Sequence, residues 1–232
     1  EDGTRRFSQT ACWLALLLAA IVIHELGHLV TAYFLDADHE DVHLWPLGNL
    51  VGPSFATRSN DYFLVAMAGP VISGALFMGI ALGLHFLAGA RFEWNPFGNP
   101  GDAGAPLLAS GVRAVPLSPI WVVGWFGYLN YLIFLVNLLP ALPFDVGRML
   151  RAYLANASVI SARDNIYGPW VARATAAILF LVGLVRLLVM WRSDGITLIV
   201  LALLIEWLVR SESRILDDGG YFEGGGFGYD FS

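Results

Sequence analysis

Hydrophobic and polar positions fall into long apolar runs, broken by short segments rich in Gly, Pro and charge. About 20 apolar residues span the ~30 Å hydrocarbon core of a bilayer as a helix. On that measure the chain has five candidate spans, roughly 11–35, 62–88, 120–139, 169–191 and 196–209. Between the third and fourth, 144–157 sets Phe144, Met149, Leu150, Tyr153 and Leu154 among Arg148 and Arg151. That spacing predicts a short amphipathic helix. Asp36 to Asn60 begins acidic, includes His39 and His43, and continues through Leu44-Trp45-Pro46-Leu47-Gly48-Asn49-Leu50. Its Pro and Gly predict a short strand or re-entrant loop. Ala90 to Pro119, rich in Gly and Pro, reads as an exposed loop. The expected fold is an all-α membrane protein: a polytopic helical bundle of about five transmembrane helices, with a short strand or re-entrant loop after the first. No internal repeat divides it, so residues 1–216 read as one membrane-embedded core. Residues 217–232 form an acidic Gly- and aromatic-rich tail, too polar to order itself, whose aromatics suit a membrane-complex partner.

Composition agrees. Hydrophobic residues make up 57% of the 232 and charged residues only 14%, against about 25% charged in soluble domains. That is too little polar surface to cover a water-soluble globule, so the lipid bilayer is an expected partner. A net charge of -6 excludes the basic footprint of a nucleic-acid binder. Alternating the five spans puts Arg58, Arg148, Arg151, Arg163, Arg210 and Arg214 on one side. Arg5, Arg6, Arg91, Arg113 and Arg192 fall on the other, a slight excess that makes the first side cytoplasmic. Cys12 has no second cysteine to pair with and reads as a small apolar side chain. Starting at Glu1 instead of Met, the chain reads as a processed or partial one, and the run 11–35 is too long for a signal-peptide core.

Chemistry enters in the first span. His24-Glu25-Leu26-Gly27-His28 lies inside an otherwise apolar stretch. Two histidines four apart on a helix share a face and can ligate one Zn²⁺, with the intervening Glu25 as general base. An acidic residue in mid-span costs about 2.5–3.5 kcal/mol on the insertion scale, so it is retained for a purpose. A catalytic zinc takes a third protein ligand and keeps one position open. The remaining candidates are His39, His43, His85, Asp145 and Glu206. Asp145 stands out because Pro140 and Pro143 break the end of the third span just before it, and broken backbone at membrane depth lines protected cavities. Arg173 and Arg186, inside the fourth span, must pair or snorkel.

Together these residues resemble a known family. The HELGH helix, Ala68-Gly69-Pro70, the Leu44-Trp45-Pro46-Leu47-Gly48 segment and Asn137-x-x-Pro140-x-x-Pro143-x-Asp145-x-Gly147-Arg148 are similar to the site-2 protease family of intramembrane zinc metalloproteases. The similarity runs from about Ile21 to Leu154. It implies zinc held by His24, His28 and Asp145, a catalytic Glu25, and an Asn137 that positions the substrate backbone or stabilises the oxyanion. It also implies a metal toward the cytoplasmic side of a bacterial or archaeal cytoplasmic membrane. Two positions depart from the family pattern: Asp145-Val146-Gly147 replaces Asp-Gly-Gly, and Gly48-Asn49 replaces Gly-Gly. Many relatives have a further span before the catalytic helix, where ten residues stand here. No stretch is long enough for a regulatory PDZ or CBS domain.

The expected activity is hydrolysis of a peptide bond within or near a transmembrane segment of a membrane protein substrate. That segment must unwind locally, since a helix hides its carbonyls. The alternative from another class is a catalytically silent scaffold subunit of a larger membrane complex that keeps the protease fold. The tail and Val146 motivate it, while four ionisable groups placed in lipid speak for catalysis.

Overall fold

The structure is a computed structural model, and it describes residues 2–35, 59–92, 96, 107–109, 115–141, 144–157 and 167–217. In chain order the elements are α1 (Asp2–Phe34), α2 (Ser59–Ala88), β1 (Ala90–Phe92), β2 (Leu107–Ala109), α3 (Pro119–Asn137), α4 (Asp145–Ala157), α5 (Tyr167–Leu188) and α6 (Asp194–Asp217). Four helices are long and apolar enough to cross a membrane: α1 over Arg6–Phe34, α2 over Phe63–Ala88, α3, and α5 over Pro169–Leu188. The protein is therefore a multi-pass integral membrane protein with a polytopic helical fold.

The region expected as a fifth span is helical but differs in kind. The apolar stretch of α6 is bounded by Asp194 at one end and by Glu206 and Arg210 at the other, and this helix of 24 residues is not among the four that are long and apolar enough to cross. The expected amphipathic helix is present as α4. The Gly- and Pro-rich loop expected from Ala90 contains a small antiparallel hairpin, with Ala90 opposite Ala109, Arg91 opposite Leu108 and Phe92 opposite Leu107. Three-residue strands are too short to leave a period in the sequence. The strand or re-entrant loop expected in 36–60 falls almost entirely outside the described residues, as does the tail from residue 218.

Helix ends follow local chemistry. α2 stops at Gly89, whose φ of 62° is the left-handed cap conformation open to glycine; its N–H donates to the His85 carbonyl at 3.0 Å. α3 ends at Asn137, three residues before Pro140, because a proline cannot continue the hydrogen-bond ladder. α4 begins when the Arg148 N–H reaches the Phe144 carbonyl at 3.1 Å, placing Asp145 at its first position, where a helix favours negative charge.

Two compact units can be distinguished, and α1, α2 and α3 each run through both. The first contains residues 1–27 and 69–136. An aromatic ladder, Trp121, Trp125, Tyr128 and Tyr131, runs up one side of α3. Trp125 meets Trp13 edge-on at 6.2 Å, and Tyr131 packs on Phe77 at 4.6 Å. Gly74 admits the Phe134 ring; a Cβ there would lie 3.1 Å from it. Asn130 is fully buried and donates to the Phe126 carbonyl at 2.8 Å, while its Oδ1 has no hydrogen-bond partner among the described residues.

The second unit contains residues 28–68 and 137–232. Its centre is the α5–α6 hairpin, which closes on two glycines. A Cβ on Gly183 would sit 2.8 Å from the Gly195 carbonyl oxygen, and one on Gly195 would collide with the Gly183 carbonyl and lie 2.8 Å from the Leu187 nitrogen. The turn between the helices passes through Trp191 at φ 53°, a left-handed conformation that costs an L-residue roughly 1–2 kcal/mol. Asp194 fastens this turn. It accepts from Arg186 Nε at 3.1 Å and Nη2 at 2.6 Å, and from Arg192 Nε at 3.1 Å. The Arg186 hydrogen bond, helped by Arg192, holds the Asp194 carboxyl below the usual carboxylate range despite some desolvation.

Two outcomes follow from this hairpin. Gly195→Ala should lower stability by about 1–3 kcal/mol, since backbone atoms cannot move aside. Gly79→Ala, with nothing within 4 Å of its Cβ, should be neutral or slightly stabilising. Thermal unfolding midpoints in detergent compare them, and equal midpoints would refute the close approach. A carboxylate with a depressed folded pKa contributes stability above its unfolded value of about 3.9, and the contribution disappears as pH falls through the folded value. The hairpin should therefore weaken on acidification below about pH 4, and Asp194→Asn should remove that part of the pH dependence of the midpoint.

Candidate metal centre

α1 carries His24 and His28 one turn apart on the same face, set by the pitch of one continuous helix. Glu25 follows His24 and is 7% exposed; it makes no hydrogen bond or ion pair among the described residues. His24 is also buried, and its Nδ1 lies 3.0 Å from Ser73 Oγ on α2. His28 Nδ1 lies 2.7 Å from the Val65 carbonyl oxygen. A carbonyl only accepts, so His28 carries its proton on Nδ1, and in the neutral ring the lone pair is on Nε2. The same tautomer on His24 lets Nδ1–H donate to Ser73. Each ring thus has its Nδ1 in a hydrogen bond, which orients the ring as a metal-binding histidine requires.

The acceptor for His28 is a main-chain carbonyl of α2, five residues before Pro70; a carbonyl has two lone pairs and can accept from the ring whatever its place in the helix ladder.

Asp145 is 3% exposed at the start of α4. Its Oδ2 is 3.4 Å from His28 Nε2, and its Oδ1 is 3.9 Å from Arg148 Nη1. In the neutral His28 ring, with its proton on Nδ1, Nε2 and Oδ2 are two acceptors facing each other in a largely buried place. A shared cation turns that repulsion into binding. Zinc takes nitrogen and oxygen ligands at about 2.0–2.2 Å in tetrahedral array, which separates two ligand atoms by about 3.4 Å. The observed spacing fits the ion. His24, His28 and Asp145 form the group of ligand-bearing side chains able to hold a metal among the described residues.

The other candidates for third ligand are accounted for differently. Glu206 accepts from Arg210 at 2.8 Å and lies 3.9 Å from Arg173. His85 Nδ1 donates to the Ala90 carbonyl at 3.2 Å, bracing the start of the hairpin. His39 and His43 lie outside the described residues. The costly arginines of α5 are paired, Arg173 with Glu206 and Arg186 with Asp194. Asn137 sits half-buried at the last position of α3. Sequence reasoning missed Ser73 and the Val65 carbonyl. Ser73 had a faint signal, a polar side chain in an apolar span just beyond Gly69-Pro70. A main-chain carbonyl has none.

Comparison with known proteins agrees with this centre. Residues 12–182 match Peptidase family M50, and the chain belongs to that family. Rip3 of Mycobacterium tuberculosis, which carries a zinc-metalloprotease name, is 29% identical over 210 residues, covering 90% of this chain and 48% of that protein. Zinc metalloprotease MJ0392 of Methanocaldococcus jannaschii is 27% identical over 203 residues, covering 87% and 49%. The solved structure of a site-2 protease from Methanocaldococcus jannaschii superposes with a TM-score of 0.53 at 25% identity, covering 88% of this chain and 78% of that one. The chain spans about half the length of these two curated relatives.

The Ser73 contact has a measurable consequence. Ser73→Ala leaves His24, His28 and Asp145 in place but removes a hydrogen bond that orients the His24 ring, so zinc affinity should fall about 10- to 100-fold. Competition against a chromogenic chelator measures it, and an unchanged affinity would remove Ser73 from the centre.

Proposed function

We propose that this chain is the membrane-embedded core, residues 1–216, of an intramembrane zinc metalloprotease that cleaves a membrane-spanning protein substrate within or near its transmembrane segment. The observation that carries this reading is the half-buried His28 and buried Asp145 at the ligand spacing of a tetrahedral ion, with a buried Glu25 beside His24 on the same helix. His24, His28 and Asp145 are the proposed ligands. Bound there, zinc supplies a Lewis acid that polarises the scissile carbonyl and makes water nucleophilic near neutral pH.

The chain's own residues do the rest. Glu25, which makes no hydrogen bond among the described residues, takes the proton of the attacking water on its carboxylate and passes it to the leaving amine nitrogen. Asn137 donates its side-chain N–H to the substrate carbonyl oxygen as negative charge develops. Its position at the end of α3, just before the proline-broken stretch that leads to Asp145, supports that role. Unwinding of the substrate is what would expose its carbonyl to attack. The bacterial and archaeal relatives support placement in a cytoplasmic membrane, with the tail 217–232 available to a membrane-complex partner.

Glu25→Gln tests the assignment directly. Cleavage of single-span membrane substrates should fall by at least about 10²-fold, while zinc content stays that of wild type. Cleavage retained by the variant would remove Glu25 as base. Zinc in both proteins with cleavage by neither would favour a silent scaffold.

A further inference from the structure

Arg148 occupies a place that disfavours it. It stands in the first turn of α4, where the helix dipole repels a cation, and its side chain is only 11% exposed. A guanidinium withdrawn from water needs compensating negative charge. Asp145, three residues earlier, supplies it, and the two carboxylate oxygens are divided. Oδ2 faces His28 Nε2 at 3.4 Å, and Oδ1 faces Arg148 Nη1 at 3.9 Å.

From this division we infer that Arg148 is a positioning residue that holds Asp145 to ligation through one oxygen, Oδ2. The inference rests on the proposed zinc centre. A carboxylate can bind a metal through one oxygen or both. Rotation of the Asp145 carboxylate would bring Oδ1 toward the same ion and fill the coordination position that a catalytic zinc keeps open. With Arg148 beside Oδ1, that rotation pulls opposite charges apart in a buried setting, where their attraction is strong. At 3.9 Å the contact is an ion pair and not a direct hydrogen bond. Charge near Oδ1 therefore does the work, and a lysine should largely replace the arginine.

The test uses the full chain in detergent, loaded with cobalt(II) in place of zinc, and reads the visible absorption of the metal. Wild type should show the intense bands of a four-coordinate ion. Arg148→Gln should shift to the weaker bands of higher coordination and bind zinc about 10- to 100-fold less tightly. Arg148→Lys should resemble wild type. A wild-type spectrum and affinity in Arg148→Gln would overturn the role of Arg148 and leave the zinc centre standing, as would equal disturbance in the Gln and Lys variants. Should Arg148→Gln not fold, the wild-type metal decides: X-ray absorption showing both Asp145 oxygens bound overturns the inference, and a single bound oxygen with a wild-type-like Arg148→Lys supports it. Failure of wild type to take up either metal would sink the zinc reading along with it.

Discussion

The hydrogen bond from His28 Nδ1 to the Val65 carbonyl, 2.7 Å long, is the constraint on which the centre depends. It puts a proton on Nδ1, so that in the neutral ring the lone pair is on Nε2, the nitrogen that faces Asp145. With that ring neutral, a cation between Nε2 and the carboxylate is what the 3.4 Å contact suits. The acceptor is a main-chain carbonyl of α2, so the proposed ligand geometry at α1 is set partly by the backbone of another helix.

Among the described residues, the charged groups along α5, α6 and their turn are matched. Asp194 gathers Arg186 and Arg192 at the α5–α6 turn, and Glu206 gathers Arg173 and Arg210 further along the hairpin. A charge in hydrocarbon without a partner is expensive, so these pairs allow α5 and α6 to pack as closely as Gly183 and Gly195 permit. Glu25 departs from this pattern: it is buried and yet makes no such pair among the described residues. That suits the proposed base, which has to be available to take a proton from water.

The crossing helices were legible because apolar length is a strong signal, and α4 because its charges and apolar residues alternate at helical period. HELGH announced a metal because spacing of four puts two imidazoles on one helical face. Of the five possible third ligands, Asp145 already stood out by the broken backbone before it; the structure adds other partners for two of the rest, Arg210 for Glu206 and the Ala90 carbonyl for His85. The β1–β2 hairpin was unreadable in strands of three residues. α6 looked like a span because its apolar core outweighs Glu206 and Arg210 in any count of hydrophobic residues, although those two charges fix where the apolar stretch stops. The Val65 carbonyl could not be read at all, since every residue has one.

Val146, the departure beside the ligand, can be placed in the same terms. A glycine after Asp145 would offer backbone freedom, yet at this point the chain is already in the first turn of α4, with the Arg148 N–H bonded to the Phe144 carbonyl. A helical residue does not need that freedom, and a β-branched side chain is accepted there at a small entropic cost. Phe144, 2% exposed, anchors the entry to the helix, so Asp145 is aimed by a buried aromatic before it and a paired arginine after it. The substitution therefore leaves the ligand's orientation to packing and charge. Metal binding should tolerate it, and the chain can depart from the family pattern at this residue while keeping the centre intact.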